Sequence, residues 1–180
     1  MRALLACNPA SGGGRGARAL PGVVERLRRA GVELVEVHRT ASLDDARKAA
    51  CDAATEVDAV VAVGGDGTIG ACASGLAAAG PDARAALGVV PAGGGNDLAR
   101  ALGLPTGDPL AAAGLLPGLP RRRVDLATAD GRRFLNVAAP ASTPRSTGSP
   151  TPACAARRRR CATPARCWPS SPWSGRLASP

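Results

Sequence analysis

Short apolar runs and amphipathic stretches alternate along the first 120 residues. Ala3 to Cys7 is an apolar run that ends at Asn8-Pro9, which predicts a buried strand meeting a turn. Ala17 to Ala30 carries Leu20, Val23, Val24 and Leu27 at helical spacing, and Gly31 supplies the stop. Glu33 to His38 alternates polar and apolar, as a half-buried strand does. Ser42, with Asp45 three residues on, predicts a capped helix reaching about Thr55. Asp58 to Val63 reads as a second apolar strand, and Thr68 to Ala79 as a helix of small residues. Leu87 to Val90 is another buried strand, followed by a short helix from about Asp97 to Leu102. Strands alternating with helices predict a three-layer α/β domain with a mostly parallel sheet.

Beyond Leu104 the pattern changes. Leu104 to Leu119 is punctuated by Pro and Gly, with one helix predicted at Leu110 to Leu116. Arg123 to Leu126 and Phe134 to Ala138 read as two strands, joined by a hairpin turn at Ala129-Asp130-Gly131. They would open a second, β-rich unit. The expected organisation is therefore an α/β domain over residues 1–120, first strands of an incomplete β-rich domain over 121–138, and a tail over 139–180.

Charge sharpens these boundaries. The net charge of +9 resides wholly in the tail half: residues 1–130 hold 14 acidic and 14 basic residues, and 131–180 hold nine basic and no acidic ones. The high isoelectric point therefore does not make the body a nucleic-acid binder. An Arg-rich tail that binds nucleic acid is a rival reading, marked by an affinity that falls steeply with salt. Six cysteines form no C-x-x-C pair, so they read as reduced, partly buried thiols rather than a zinc site. No apolar run reaches the length of a membrane span, and the N-terminus lacks a signal layout, so the protein is expected in the cytoplasm. His38, the single histidine, falls at a strand end and reads as a solvated side chain.

Three Gly-rich loops each follow a predicted strand: Asn8-Pro9-Ala10-Ser11-Gly12-Gly13-Gly14, Gly64-Gly65-Asp66-Gly67-Thr68, and Pro91-Ala92-Gly93-Gly94-Gly95-Asn96-Asp97. In open α/β sheets ligands bind at the carboxyl ends of strands. Glycine lets backbone N–H groups approach phosphate oxygens, and a following helix N-terminus adds positive potential. One such loop can be merely a tight turn; three on one sheet edge read as a phosphate site. No G-K-[ST] follows, so none is a P-loop, and none is a G-x-G-x-x-G dinucleotide fingerprint.

The run Val60 to Thr68, with its GGDGT core, resembles the catalytic domain of the diacylglycerol kinase family. So do Asn8-Pro9-x-Ser11-Gly12 and the stretch P-A-G-G-G-N-D-L-A-R-A-L-G from Pro91 to Gly103. A GGDG core also occurs in NAD kinases and phosphofructokinases, but the N-E pair of NAD kinases is missing. The resemblance covers residues 1 to about 138. It implies an ATP- and Mg²⁺-dependent lipid kinase acting on a hydroxyl such as that of diacylglycerol, with peripheral contact at the inner membrane face. It places Asn8, Pro9, Ala10, Ser11 and Gly12 at the nucleotide phosphates and Thr40 near the adenosine. Gly64, Gly65, Asp66, Gly67 and Thr68 would wrap the triphosphate, with Gly94 and Asn96 also at the ATP. Asp66 would act through Mg²⁺ or water, and Asp97 and Asp125 match further acidic positions around the site. Hard carboxylate oxygens suit Mg²⁺, and phosphoryl transfer rests on positioning and charge neutralisation.

Alternatives stand beside these roles. Asp66 and Asp97 can each cap a helix start, Asp125 can be a plain strand-edge carboxylate, and Arg121-Arg122-Arg123 can be a solvated turn instead of a lipid-headgroup contact. The chain also departs from the family at two loop positions. Gly94 stands where Thr is usual, and Gly70 where a polar residue is common.

After Ala138 the character of the chain changes. Eight of the 16 prolines lie between Pro140 and Pro180, acidic residues vanish, both Trp appear, and Arg157 to Arg160 run together. This composition permits a disordered basic tail. It also fits a shifted reading frame in a GC-rich gene, in which Lys48 is the sole lysine and Ile69 the sole isoleucine. The family continues with a G-x-G-F-D type segment, and codons chosen for one such run, G-A-G-F-D-S-E-V-N-R, give Ala139 to Gly148 when read with the first base deleted. The expected chain is then a nucleotide-binding half whose lipid-binding, base-supplying second domain is lost, weakly active or inactive alone.

Overall fold

The computed structural model describes residues 1–129 and 131–135. Strand β1 (Arg2–Cys7) leads to helix α1 (Ser11–Arg29), β2 (Glu33–Arg39), α2 (Leu43–Ala53), β3 (Ala59–Gly64), α3 (Asp66–Ala78) and β4 (Ala86–Pro91). Two short helices follow, α4 (Asp97–Ala101) and α5 (Pro109–Leu115), then a single 3₁₀ turn (Leu116–Gly118) and a hairpin of β5 (Ala127–Ala129) and β6 (Arg132–Phe134).

The first four strands form one parallel sheet in the order β2-β1-β3-β4. Alternation along β1 and β3 builds two cores. Leu5, Cys7, Val61 and Val63 face α1 and α5 with Leu20, Val23 and Leu27. Leu4, Ala6, Val60 and Ala62 face α2, α3 and α4 with Ala46, Ala50, Ile69 and Cys72. Both faces of β3 are buried, which is why its sequence reads as a continuous apolar run. Each fully buried Leu, Ile or Val contributes about 1.5–3 kcal/mol. Among the described residues the core holds no large aromatic side chain, so close approach does the packing. Gly75 of α3 sits where an added Cβ would lie 2.1 Å from the Arg47 carbonyl oxygen of α2. The α/β, mostly parallel architecture read from the sequence is the one observed.

Boundaries differ for physical reasons. Helix α1 begins at Ser11, but Gly12, Gly13 and Gly14 are left-handed, so regular helix starts only after them. Helix α3 begins two residues before Thr68, because extended Gly65 occupies the cap position. Ser42 caps α2 as expected, its side chain accepting from Asp45 N at 3.0 Å. The hairpin forms, with its first strand later than expected: Ala127 to Ala129 pair with Phe134 to Arg132, while Arg123 to Leu126 are irregular. The two-residue connection 130–131, with Gly131 at φ 73°, fixes that register. The strand expected over Phe134 to Ala138 begins at Arg132, and its part after Leu135 lies outside the described residues, as does the tail from 139 to 180.

Candidate functional site

Chain direction across the sheet reverses between β1 and β3. β1 continues to β2 on one side and β3 to β4 on the other, which opens a crevice at their carboxyl ends. Asn8 lies in that crevice. Its backbone N–H donates to the Val63 carbonyl at 3.0 Å, which ties the first loop to β3. Its side-chain oxygen accepts from Ala10 N at 3.0 Å, and its Nδ2 donates to Thr68 Oγ1 at 3.3 Å. Thr68 is buried over Gly64, where an added Cβ would fall 2.7 Å from the threonine side chain.

The three loops meet backbone to backbone. A Cβ on Gly93 would lie 2.4 Å from Gly65 Cα, and one on Gly12, at φ 59°, would lie 2.4 Å from the Ala92 oxygen. Both glycines are required by the packing, and Gly12 also by its left-handed conformation. Asn96, buried and at φ 57°, braces the third loop: its Oδ1 accepts from Gly93 N at 3.0 Å and its Nδ2 donates to Gly93 O at 2.9 Å. Both amide functions of Asn96 are thereby used within the loop.

Asp66 occupies the first turn of α3, half-buried. Its carboxylate does not cap that helix. Oδ1 reaches across and accepts from Leu98 N at the start of α4, 3.1 Å away, which fastens the second loop to the third. Its second oxygen stays on the loop side, where a Cβ on Gly95 would meet it at 3.0 Å. Loop N–H groups, two helix starts and one carboxylate therefore share a single edge, an arrangement able to hold an oligophosphate and its cation.

The other expected residues distribute unequally. Pro9, Ala10 and Ser11 form the turn between β1 and α1, with Ser11 N donating to Asn8 O at 3.2 Å. Gly67 is exposed at the start of α3. Thr40 is buried at the end of β2, and both its N–H (2.8 Å) and its hydroxyl (3.3 Å) donate to the Cys7 carbonyl. Gly94 is exposed, with nothing within 4 Å of where its Cβ would be, and Gly70 has the same open space. Asp97 is exposed and paired with Arg100 at 2.6 Å. Asp125 is exposed in the irregular segment before β5 and bonds to none of these loops among the described residues. Arg121 donates to Asp58 O at 3.4 Å, at the amino end of β3, on the opposite edge of the sheet from the glycine loops.

Sequence reasoning passed over the arginines that touch the loops. Arg15 donates to Gly93 O at 3.1 Å, Arg18 to Gly13 O at 3.4 Å, and Arg100 to Gly95 O at 2.9 Å. The legible signal was their place, since Arg15 and Arg100 are the first cations after two of the Gly-rich runs. A groove of about 930 Å³ leads away from Asp66 between α3 and the hairpin, lined among others by Leu43, Arg47, Leu98, Arg133 and Phe134.

The described cysteines, Cys7, Cys51 and Cys72, are free thiols. Burial pushes the Cys72 thiol up to about 12, and burial raises Cys7 against the opposing charge of Arg39. Among the described residues no cluster of three or more His, Cys, Asp or Glu can hold a metal. No helix there is long and apolar enough to cross a membrane. His38 departs from expectation: it is not a solvated strand end but lies between Glu36 and Asp45, with both ring nitrogens in contact with carboxylates.

Comparison with known proteins places this geometry. A family model described as the diacylglycerol kinase catalytic domain matches residues 2–129. The chain is 41% identical over 138 residues to a diacylglycerol kinase of Bacillus subtilis (strain 168), covering 76% of this chain and 45% of that protein. It is 41% identical over 109 residues to a diacylglycerol kinase of Mycobacterium tuberculosis (strain ATCC 25618 / H37Rv), covering 61% and 34%. A crystal structure of a diacylglycerol kinase from Bacillus anthracis str. Sterne superposes with a TM-score of 0.65 at 36% identity, covering 75% of this chain and 45% of that one. The chain thus spans less than half the length of these relatives. With the family model matching well over half of its residues, the chain belongs to the diacylglycerol kinase catalytic domain family.

Proposed function

We propose that this chain is the nucleotide-binding part of an ATP-dependent lipid kinase that transfers the γ-phosphoryl group to a lipid hydroxyl such as that of diacylglycerol. One observation carries the reading: three glycine loops packed backbone to backbone at the switch point of a parallel sheet, with the Asp66 carboxylate among them. The loop N–H groups not already given to Val63, Asn8 and Asn96, those of Gly65–Thr68 and Gly94–Gly95 among them, are the proposed phosphate cradle. Arg15, with Arg100, adds positive charge at its rim.

The residues fit Mg²⁺ of the kind that arrives with a nucleotide. That ion keeps most of its waters and takes one or two carboxylates plus phosphate oxygens. Asp66, with one oxygen on Leu98 N and the other free of hydrogen bonds among the described residues, suits this directly or through water. When bound, Mg²⁺ would neutralise phosphate charge. Asp97 and Asp125 are proposed only as outer acidic groups, and the base that activates the acceptor hydroxyl is proposed to lie outside the described residues.

The test is a calorimetric titration of the protein with ATP, with and without Mg²⁺, beside the same titration with NAD. Magnesium-dependent ATP binding without NAD binding is expected. Absence of ATP binding, or phosphorylation of NAD in a kinase assay, would overturn the reading. The proposed frame shift after Ala138 is checked by resequencing the codons for Asn136 to Gly148. With the missing base restored, diacylglycerol phosphorylation by the repaired protein is expected to exceed that of this chain.

A further inference from the structure

We propose that the groove leading away from Asp66 is the acceptor site, and that it takes a lipid whose free hydroxyl lies beside a phosphodiester, in preference to neutral diacylglycerol. The proposal rests on the kinase reading above and names its acceptor. It starts from one stripe of α3. Asp66, Gly67, Gly70, Ala71 and Ser74 line the groove and fall on a single face of that helix. The last four are small, so α3 makes an open floor, and a Cβ added at Gly70 would meet nothing within 4 Å. Helix α2 and strand β6 both pack against α3 and supply the walls.

Those walls carry two kinds of side chain. Leu43 of α2, 52% exposed, and half-buried Phe134 of the hairpin are apolar; Arg47, Arg132 and Arg133 are cationic. The acidic residues of the groove are already engaged. Asp44 pairs with Arg47 at 3.1 Å, and Asp66 bonds Leu98 N while its other oxygen stays on the loop side. Arg132 and Arg133 have no acidic partner among the described residues. An apolar lining with surplus positive charge matches an anionic amphiphile.

Arg133 locates the anion. Its Nη1 donates to Ser74 O at 3.3 Å, which fastens the guanidinium on α3, while the rest of the fork has no acceptor among the described residues. Ser74 lies eight residues after Asp66, roughly 12 Å along the helix axis. The guanidinium is therefore set apart from phosphates held at the glycine loops, and its anion belongs to the acceptor. Arginine grips a phosphodiester with paired N–H groups, whereas a neutral headgroup would leave this charge unused. In the transfer, the acceptor oxygen bonds to the γ-phosphorus as the bond to the ADP oxygen breaks. The hydroxyl proton goes to the base proposed outside the described residues.

The sequence after Asp130 is basic and free of acids, so the full chain would adhere to any anionic vesicle. The probes are therefore monomeric: dihexanoyl phosphatidylglycerol, dihexanoylglycerol and glycerol 3-phosphate, each below its micelle concentration. Two-dimensional NMR titrations follow the backbone amides, with MgATP titrated separately. The anionic lipid is expected to bind about tenfold tighter than the neutral one, the scale of a hydrogen bond to a charged group, and to shift the Gly70 and Ser74 amides. Arg133→Gln should remove most of that preference. Equal affinity of the two lipids, shifts confined to residues 139–180, or a preference unchanged in Arg133→Gln would overturn the proposal. Glycerol 3-phosphate binding as tightly as the lipid would overturn it too, by showing a site for soluble phosphate. Should Arg133→Gln disrupt the hairpin, Gly70→Leu fills the floor from a helical position and leaves the arginines in place; anionic-lipid binding that survives it is equally fatal. The two readings fail separately. Absence of any MgATP shift sinks the kinase reading, whereas MgATP binding without anionic-lipid shifts on α3 sinks the acceptor site alone.

Discussion

At the carboxyl ends of β1, β3 and β4, three loops meet through glycine backbones and amide side chains. At the amino ends of the same strands, exposed arginines make the ties. There Arg2 reaches Glu56 O at 3.0 Å, Arg84 reaches Thr55 O at 2.9 Å, and Arg121 reaches Asp58 O at 3.4 Å. Long, solvated side chains can be replaced with little loss, because water satisfies what they leave behind. A loop edge with no room for a methyl group has no such tolerance. At Gly12, Gly64 and Gly93 the edge that holds the candidate site is therefore fixed atom by atom, and these glycines follow from close contact rather than from flexibility.

The largest expected effect comes from forcing a side chain into that contact. Gly93→Ala places a methyl 2.4 Å from the backbone Cα of Gly65 and 2.9 Å from Asn96 Oδ1. Overpacking of this kind costs about 2–3 kcal/mol, and ATP binding should be lost with it. Denaturant unfolding of the variant beside wild type measures the first, and calorimetry the second. A loss under about 0.5 kcal/mol would mean the loops are not packed as described.

The next comparison lies inside the site, between two polar residues that look alike in sequence. Asn96→Ala strands a buried Gly93 N–H, while the Gly93 carbonyl keeps Arg15, so it should cost about 1–3 kcal/mol. Asp66→Asn keeps an oxygen for Leu98 N and should change stability little. It removes the charge, however. A charge-assisted contact contributes about 1.5–3 kcal/mol, so magnesium-dependent ATP affinity should fall by about tenfold or more. If Asn96→Ala is stable but binds poorly while Asp66→Asn unfolds, the two roles are reversed.

This pair shows how far the sequence could be read. The elements were legible because β1 and β3 are buried on both faces and α1 and α2 carry clear periodicity and stops. The convergence of three loops on one edge followed from strand order and Gly-rich punctuation. What sequence could not show was which polar groups are already spent. Asn96, Thr40 and Thr68 stand in motif positions, yet their side chains bond within the scaffold. Asp66 was weighed as a cap for α3 and proves to bond α4 instead, because a carboxylate on a first turn can serve any N–H within reach. His38 was misread for the same reason, since both its partners are supplied by folding. The first strand of the hairpin was displaced because a turn sets register, and apolar content alone does not.

A smaller effect, of opposite sign, is expected where the chain departs from its family. Gly70 and Gly94 have nothing within 4 Å of their Cβ positions, and neither has a left-handed φ. Gly70→Ala, inside α3, should raise stability by about 0.5–1 kcal/mol. Gly94→Thr should fold normally and tighten ATP binding, by restoring a hydroxyl on the exposed side of the third loop. Weaker binding with unchanged stability would show instead that the open space at Gly94 is needed by the ligand.

The smallest effect belongs to the arginine-tied edge. Arg121→Ala should change stability by about 0.5 kcal/mol or less. Asp58 offers a subtler reading of the same edge. The Arg2 backbone N–H, at 2.8 Å, holds its carboxyl below the ordinary value, with the N-terminus, Arg121 and Arg2 adding to the effect. A depressed folded-state value means the contribution is present above the unfolded carboxyl's titration and is lost as pH falls through the folded one. Wild-type stability should therefore decline below about pH 4 partly through Asp58, given an unfolded Asp near 3.9. Asp58→Asn should start slightly less stable at neutral pH and decline less steeply on acidification. Unfolding curves at pH 7, 4 and 3 check this, and parallel declines in both proteins would remove Asp58 from the acid response. Gly93→Ala should be destabilised equally across that range, because a steric clash does not titrate.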